Sequence, residues 1–252
     1  MYSKTPTVYI GYDIKEDMAF QVAVASIKKH ASKPINIVPL KQEALRRAGL
    51  FKRSHYTVEE QRYDCFDRKP FSTDFSFTRF LIPALNQYEG LALYIDCDML
   101  FRSDIWELFD SICIDESAIW SVHHDYNPTS KQKMSGQVQS LYNRKNWSSF
   151  VVFNCSHDAN KLLTVDDVSV KNGSWLHSFQ WLEDQQIGKL NEEWNWLDGW
   201  SPDHVNPKNV HFTTGGPQFI NWKHSRAIDK IYVQEWENYR FKLLKEEAMK
   251  TI

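Results

Sequence analysis

Residues 7–40 read TVYIGYDIKEDMAFQVAVASIKKHASKPINIVPL. Thr7 to Ile10 is an apolar run of strand length, closed by Gly11, Tyr12 and Asp13. Glu16 and Asp17 open a helical pattern that ends near His30, with Lys28, Lys29 and His30 in its last turn. Acids at the start and bases at the end are the order a helix dipole favours. Ile35 to Leu40 is a second apolar run. A strand, a helix and a strand within roughly thirty-five residues form a βαβ unit, which requires a parallel sheet. The fold class is α/β, with a mixed but mainly parallel sheet flanked by helices.

The rest of the chain fits around that unit. A short helix is expected at Glu43 to Ala48, inside a charge-rich, loop-like excursion from Lys41 to Phe71. Thr73 to Leu85 reads as a helix carrying Arg79 on one face, and Gly90 breaks the chain before a strand at Ala92 to Ile95. Ile105 to Phe109 begins a short helix. Ala118 to Val122 and Phe150 to Phe153 read as strands. Between them, His123 to Asn146 is polar and contains Pro128 and Gly136, the pattern of a long loop or lid. Trp175 to Leu190 reads as a helix containing Asp184, Gln185 and Gln186. His211 to Pro217 is a strand end passing into a Gly-Gly-Pro turn, and Ile231 to Met249 is an amphipathic helix expected to dock on the core. There is no internal repeat and no linker, so residues 1–252 are expected to form one domain. Its expected halves are a nucleotide-binding half of about 1–112 and an acceptor-side half of about 113–230, and a C-terminal helix covers 231–252.

Composition narrows the function. Thirty basic and thirty-two acidic residues leave a net charge of −2, without the basic excess of a nucleic-acid-binding protein. No apolar run is long enough to span a bilayer, and the polar segment Met1 to Thr7 leads straight into a strand without a secretory pattern. The expected location is the cytoplasm. Cys65, Cys97, Cys113 and Cys155 show no Cys-x-x-Cys spacing and read as reduced structural thiols.

The chemistry concentrates in Leu93-Tyr94-Ile95-Asp96-Cys97-Asp98-Met99-Leu100-Phe101. Residues two apart on a strand share a side, so Asp96 and Asp98 at a strand end can face one cleft. Two close carboxylates repel one another unless a cation accompanies them, and hard oxygen ligands suit a divalent metal with phosphate as third party. His211 is the candidate third ligand, and an imidazole beside two carboxylates suits manganese better than calcium. Gly215 and Gly216 after it allow backbone to approach a diphosphate. Arg79, between bulky apolar residues, has two readings: a buried ion pair with an internal carboxylate, or a contact to a nucleotide. His123 and His124 read as loop residues near the site. Paired acids with metal also serve nucleotidyltransferases and nucleases. A catalytically silent sugar-nucleotide-binding module is a further alternative.

These motifs, in this order, resemble glycosyltransferase family 8, which includes glycogenin and bacterial lipopolysaccharide hexosyltransferases. The resemblance covers most of residues 7 to 217 and rests on Val8 to Asp13, Ala25-Ser26-Ile27, Phe77-Thr78-Arg79-Phe80 and, above all, Leu93 to Leu100 with its Asp-x-Asp motif. It implies a GT-A fold and a retaining, metal-dependent hexosyltransferase. The cofactor would be Mn²⁺ (or Mg²⁺), the donor a UDP-sugar and the acceptor a hydroxyl group, as on a glycan. By the same resemblance Asp96, Asp98 and His211 are the metal ligands. Gly11, Tyr12, Asp13, Arg79 and Cys97 lie on the nucleoside side, Gly215 and Gly216 on the diphosphate side. Where the family has Lys-Pro-Trp after the histidine, this chain has Gly216-Pro217-Gln218, and Lys223 is the lysine available for the β-phosphate. Trp147-Ser148-Ser149 stands where the family has Asn-(Ala/Ser)-Gly. Asp184 and Gln185 resemble the family's Asp-Gln pair near the donor sugar and are the catalytic candidates. Trp194-Asn195 resembles the element that follows. Double displacement would make Asp184 the nucleophile, whereas same-face attack would leave Gln185 steadying an ion-pair-like transition state.

Overall fold

The computed structural model describes residues 5–114, 116–124, 144, 146–219, 222 and 227–250. The chain begins with β1 (Thr7–Tyr12), α1 (Asp17–His30) and β2 (Asn36–Lys41), the expected βαβ unit, with β1 and β2 parallel. Then come α2 (Gln42–Arg47), β3 (His55–Val58), β4 (Gln61–Asp64), β5 (Pro70–Phe71), α3 (Ile82–Leu85), β6 (Leu91–Ile95), β7 (Met99–Phe101) and α4 (Ile105–Asp110). The remainder comprises β8 (Ile119–Ser121), β9 (Phe150–Asn154), α5 (Asp158–Lys161), α6 (Val165–Val170), α7 (Gly173–His177), β10 (Ile187–Lys189), β11 (Trp196–Leu197), β12 (Asn209–His211) and α8 (Ala227–Lys250).

The central sheet has the order β10-β8-β9-β6-β1-β2. Only β9 runs against the others. Side chains alternate between two cores. Tyr9, Ala92, Tyr94, Val151 and Phe153 enter one, and Val8, Ile10, Leu93, Ile95 and Val152 enter the other. Both faces are covered, which is why β6 and β9 are continuous apolar runs rather than alternating ones. A second sheet, β11-β12-β7, lies over a third cluster of Val22, Leu100, Trp196, Val210, Phe212, Tyr232 and Trp236. Helix α8 docks through Tyr232 and Trp236, with Tyr239 and Leu243 packed beside them. These positions follow a helical stripe. Beyond Leu243 residues 244–250 are exposed all round, so the expected amphipathic docking holds for the first part of the helix only. Among the described residues no helix is long and apolar enough to cross a membrane. All four cysteines are free thiols.

Three expectations are corrected. The excursion from 41 to 71 is not loop-like, because it holds the antiparallel sheet β3-β4-β5. Its hairpin turns on Glu59 and Glu60, both at positive φ (47° and 67°), a conformation that Gly or Asn usually signals. The helix expected over Thr73 to Leu85 is reduced to a 3₁₀ turn at Thr78–Leu81 and the short α3. Pro83 supplies no N–H and crowds the preceding turn, so a longer helix cannot run through it. The helix expected over Trp175 to Leu190 is broken. α7 ends at His177, Phe179 takes φ 53°, Asp184–Gln186 is a 3₁₀ turn, and β10 pairs with β8. Sheet pairing there overrides local helix propensity. The polar segment from His123 to Asn146 lies outside the described residues except at His123, His124, Arg144 and Asn146.

Candidate metal and nucleotide site

Strand β6 ends at Ile95, so Asp96 and Asp98 emerge at the C-terminal end of a strand inside the sheet. Chain reversal brings His211 to them. β7 begins directly after Asp98, and β12 pairs antiparallel with it so that His211 lies opposite Met99. The Phe212 N–H donates to the Asp98 carbonyl at 3.0 Å. One ligand atom from each of Asp96, Asp98 and His211 lies within 4.8 Å of the others, and all three residues are buried.

Each member of the cluster is held from behind. Asp96 accepts the Tyr94 hydroxyl at 2.7 Å and pairs with Arg79 at 2.9 Å, while its own N–H donates to the Ser149 carbonyl. His211 Nε2 lies 3.4 Å from Asp98 Oδ1, and Nδ1 lies 3.0 Å from Asn195 Oδ1. The Asn195 amide nitrogen donates to Ser149 Oγ at 3.1 Å, which assigns the amide oxygen to the imidazole. Nδ1 therefore carries the proton and the Nε2 lone pair faces the carboxylates. That is the tautomer a metal-binding histidine needs, fixed by the partner of its other nitrogen. Two carboxylate oxygens and one imidazole nitrogen form a donor set that fits a divalent cation such as Mn²⁺ or Mg²⁺. Asn195→Ala is expected to weaken Mn²⁺ binding about 10–100-fold, and Asn195→Asp, which keeps an acceptor on Nδ1, by much less. Isothermal titration with Mn²⁺ measures both.

The surroundings are strongly acidic. Burial, then Glu16, Asp98, Asp96 and Asp13, push the Cys97 thiol well above its usual range. The Cys97 side chain belongs to the core cluster beneath β6. Burial pushes the His124 imidazole down to about 3.

Arg79 takes the ion-pair reading. Besides Asp96 it donates to the carbonyls of Ser148 (2.8 Å) and Phe75 (3.3 Å), with its guanidinium 4.9 Å from the Tyr94 ring centre. Asp13 is buried, accepts from the N–H groups of Lys15 and Asp74, and pairs with Arg62 at 3.2 Å. Tyr12 donates to Asp17 at 2.8 Å, and partial burial followed by that bond pushes its phenol up to about 12. A Cβ on Gly11 would lie 2.5 Å from the Phe75 ring and 2.7 Å from the Tyr94 hydroxyl. Gly11 thus makes room for the donor that holds Asp96. Gly11→Ala is expected to cost about 1–3 kcal/mol in urea unfolding, because ring and hydroxyl must both move.

Gly215 adopts φ 106° in the turn after β12, and Gln218 in that turn bonds Glu16 at 3.2 Å. Lys223 lies outside the described residues. Asp184 and Gln185 are exposed and do not belong to the cluster of ligand atoms. Their link to it is indirect: Asp184 is ion-paired with Arg144, whose guanidinium faces the Trp147 ring beside Ser148. Sequence reasoning missed Tyr94, Ser149 and the side-chain role of Asn195. The only available signal was the position of Trp194-Asn195 in the family pattern, because a buried amide looks like any other asparagine in a sequence.

No family model matches the chain. Among solved structures it superposes on the glycosyltransferase GlyE of Streptococcus pneumoniae TIGR4 with TM-score 0.57 and 13% identity, covering 99% of this chain and 64% of that one. An active-site mutant of LgtC gives TM-score 0.52 and 12% identity over 92% of this chain and 95% of that one. The bifunctional WbbM gives 0.51 and 16%, over 84% of this chain and 46% of that protein. The chain therefore spans less than two thirds of GlyE and about half of WbbM. At such identities the likeness is one of fold, and the fold is GT-A. In sequence, the chain is 44% identical to Protein CDI of Arabidopsis thaliana over 237 residues, 92% of this chain and 86% of that protein. The chain belongs to the family of Protein CDI.

Proposed function

We propose that this protein is a divalent-metal-dependent glycosyltransferase of the family 8 type, which moves a hexose from a UDP-sugar to a hydroxyl of a glycan with retention of configuration. The observation that carries the reading is the convergence of Asp96, Asp98 and His211 at the C-terminal end of an interior strand. Open α/β sheets bind their ligands at that end. The GT-A fold supports the same reading.

Asp96, Asp98 and His211 would hold Mn²⁺ or Mg²⁺, which when bound would supply Lewis-acid neutralisation of charge on the departing diphosphate. Asn195 fixes the His211 ring, and Arg79 with Tyr94 fixes Asp96. Gly11, Tyr12, Asp13 and Cys97 form the nucleoside side, in the half spanning about residues 1–112, with Arg79 behind them as the partner of Asp96. Gly215, Gly216 and Lys223 form the diphosphate side. In the transfer the C1–O bond to the β-phosphate breaks with its electron pair on the phosphate oxygen. The acceptor oxygen bonds C1, and its proton passes to the phosphate. Asp184 and Gln185 present a carboxylate and an amide to the donor sugar, and the Arg144 ion pair restrains Asp184. With Asp184→Ala, transfer is expected to fall more than about 100-fold, whether Asp184 bonds C1 in a double displacement or stabilises charge during same-face attack. Retained activity would remove Asp184 from catalysis. Reduced cysteines favour the cytoplasm as the place of reaction.

Calorimetry with UDP, with and without Mn²⁺, combined with a screen of UDP-sugars for slow hydrolysis, tests the reading. Metal-dependent UDP binding together with hydrolysis of one donor is expected. UDP binding that ignores the metal contradicts the reading, and binding without any hydrolysis favours a silent binding module.

A further inference from the structure

Beside the cluster of ligand atoms lies a cleft of about 320 Å³, at the low end of the range for small-molecule sites. It opens where β8 and β10 end, and its walls include His123, His124, Lys189, Glu192, Trp200 and Ser201. It adjoins the cluster through two walls. The His124 ring lies beside the backbone of Asn195, whose side chain holds His211. Leu197, another wall residue, pairs with His211 in the β11-β12 ladder.

The most informative wall residue is Trp200. Among the described residues it is the exposed tryptophan, at 44%. Its position is built rather than accidental. Gly199 takes φ 77°, a conformation that strains other residues. The N–H groups of Trp200 and Ser201 both return to the Leu197 carbonyl, and Ser201 Oγ accepts the Leu197 N–H at 2.9 Å. Trp196 Nε1 anchors the far side on the Pro202 carbonyl at 3.1 Å. A rigid turn thus presents an indole to solvent at the mouth of a cleft that also carries an ammonium, a carboxylate and a hydroxyl. An aromatic face attracts weakly positive C–H groups, and a pyranose ring offers a face of such groups with hydroxyls around its rim. Lys189 can donate to those hydroxyls and Glu192 can accept from them.

We propose that this cleft is the acceptor subsite and that it takes a neutral saccharide, stacked on Trp200 and bonded at its rim by Lys189 and Glu192. The proposal rests on the transferase reading, because adjacency to the metal cluster is what makes a saccharide bound here an acceptor.

The test uses the full chain, with Trp200→Ala and Glu192→Gln as variants. Both positions are at least partly exposed, so the variants are expected to fold. A panel of neutral disaccharides (maltose, lactose, cellobiose and xylobiose) is screened by saturation-transfer NMR, without nucleotide and then with UDP and Mn²⁺. UDP–Mn²⁺ affinity is measured in parallel. At least one disaccharide is expected to bind the wild type and to lose affinity at least 10-fold in Trp200→Ala and several-fold in Glu192→Gln. UDP–Mn²⁺ affinity should stay within threefold. Binding of no disaccharide, or equal binding by wild type and variants, overturns the subsite. A wild type that binds a disaccharide through Trp200 but not UDP–Mn²⁺ overturns the transferase reading and, with it, the name acceptor, while leaving the saccharide site in place.

Discussion

Asp98→Asn is expected to remove Mn²⁺-dependent UDP binding, lowering it more than about 100-fold, while leaving the metal-free fold within about 1 kcal/mol of wild type. The amide keeps an oxygen donor of nearly the same shape but loses the charge, and charge count is the main lever on divalent-ion affinity at an oxygen site. The fold should tolerate the change. Asp98 lies near another carboxylate, and its contact with His211 Nε2 is a modest 3.4 Å. Because the Nε2 lone pair faces Asp98, the change removes no hydrogen bond there and relieves like-charge repulsion. Thermal melts make the contrast visible. Wild type should gain about 2.7 kcal/mol at a metal–nucleotide concentration one hundred times the Kd, and the variant almost nothing. A variant that melts far below wild type in EDTA would show that Asp98 serves the fold rather than an ion.

The second large effect is expected from Arg79→Met, and it runs the other way. The guanidinium is the cation beside Asp96, and it also satisfies the carbonyls of Ser148 and Phe75. Removing it strands a buried carboxylate, which costs about 3–5 kcal/mol. The Tyr94 hydroxyl bonds the same oxygen but supplies no charge. Bound Mn²⁺ would supply a positive charge to Asp96 in its place. Saturating metal should therefore restore more stability to Arg79→Met than it adds to wild type. Arg79→Lys keeps a charge but not the planar fork, and should fall between the two. Urea unfolding with EDTA or Mn²⁺ reads all six states. An unchanged metal-free stability combined with weaker UDP binding would instead assign Arg79 to the nucleotide.

Arg79 also shows how far the sequence was legible. Its neighbours Phe77 and Phe80 announced burial, and burial announced a partner, but nothing local said whether the partner was a carboxylate or a ligand. The βαβ unit was readable because β1 is a buried apolar run and α1 carries the expected charge order at its ends. The acidic pair was readable for a similar reason: β6 is apolar at every position and stops at Ile95. His211 could be proposed as a partner, but the pairing that delivers it could not. β7 and β12 have three residues each, too few to show a period, and their register is set by long-range contact. The β3-β4 hairpin was hidden because two glutamates occupy a left-handed turn. The broken helix around Asp184 was hidden because β10 exists only through its pairing with β8. Asn195 lies at the end of a 3₁₀ turn, and its function depends on a ring sixteen residues further along the chain.

The most direct test of the central claim is electron spin-echo spectroscopy of Mn²⁺ bound to the protein with UDP. One imidazole and two carboxylates on a single ion predict modulation from one directly bound ¹⁴N nucleus. That modulation should vanish in His211→Asp, while weakened Mn²⁺ binding persists. Manganese bound with UDP but without nitrogen modulation, or modulation that survives loss of His211, would contradict the account.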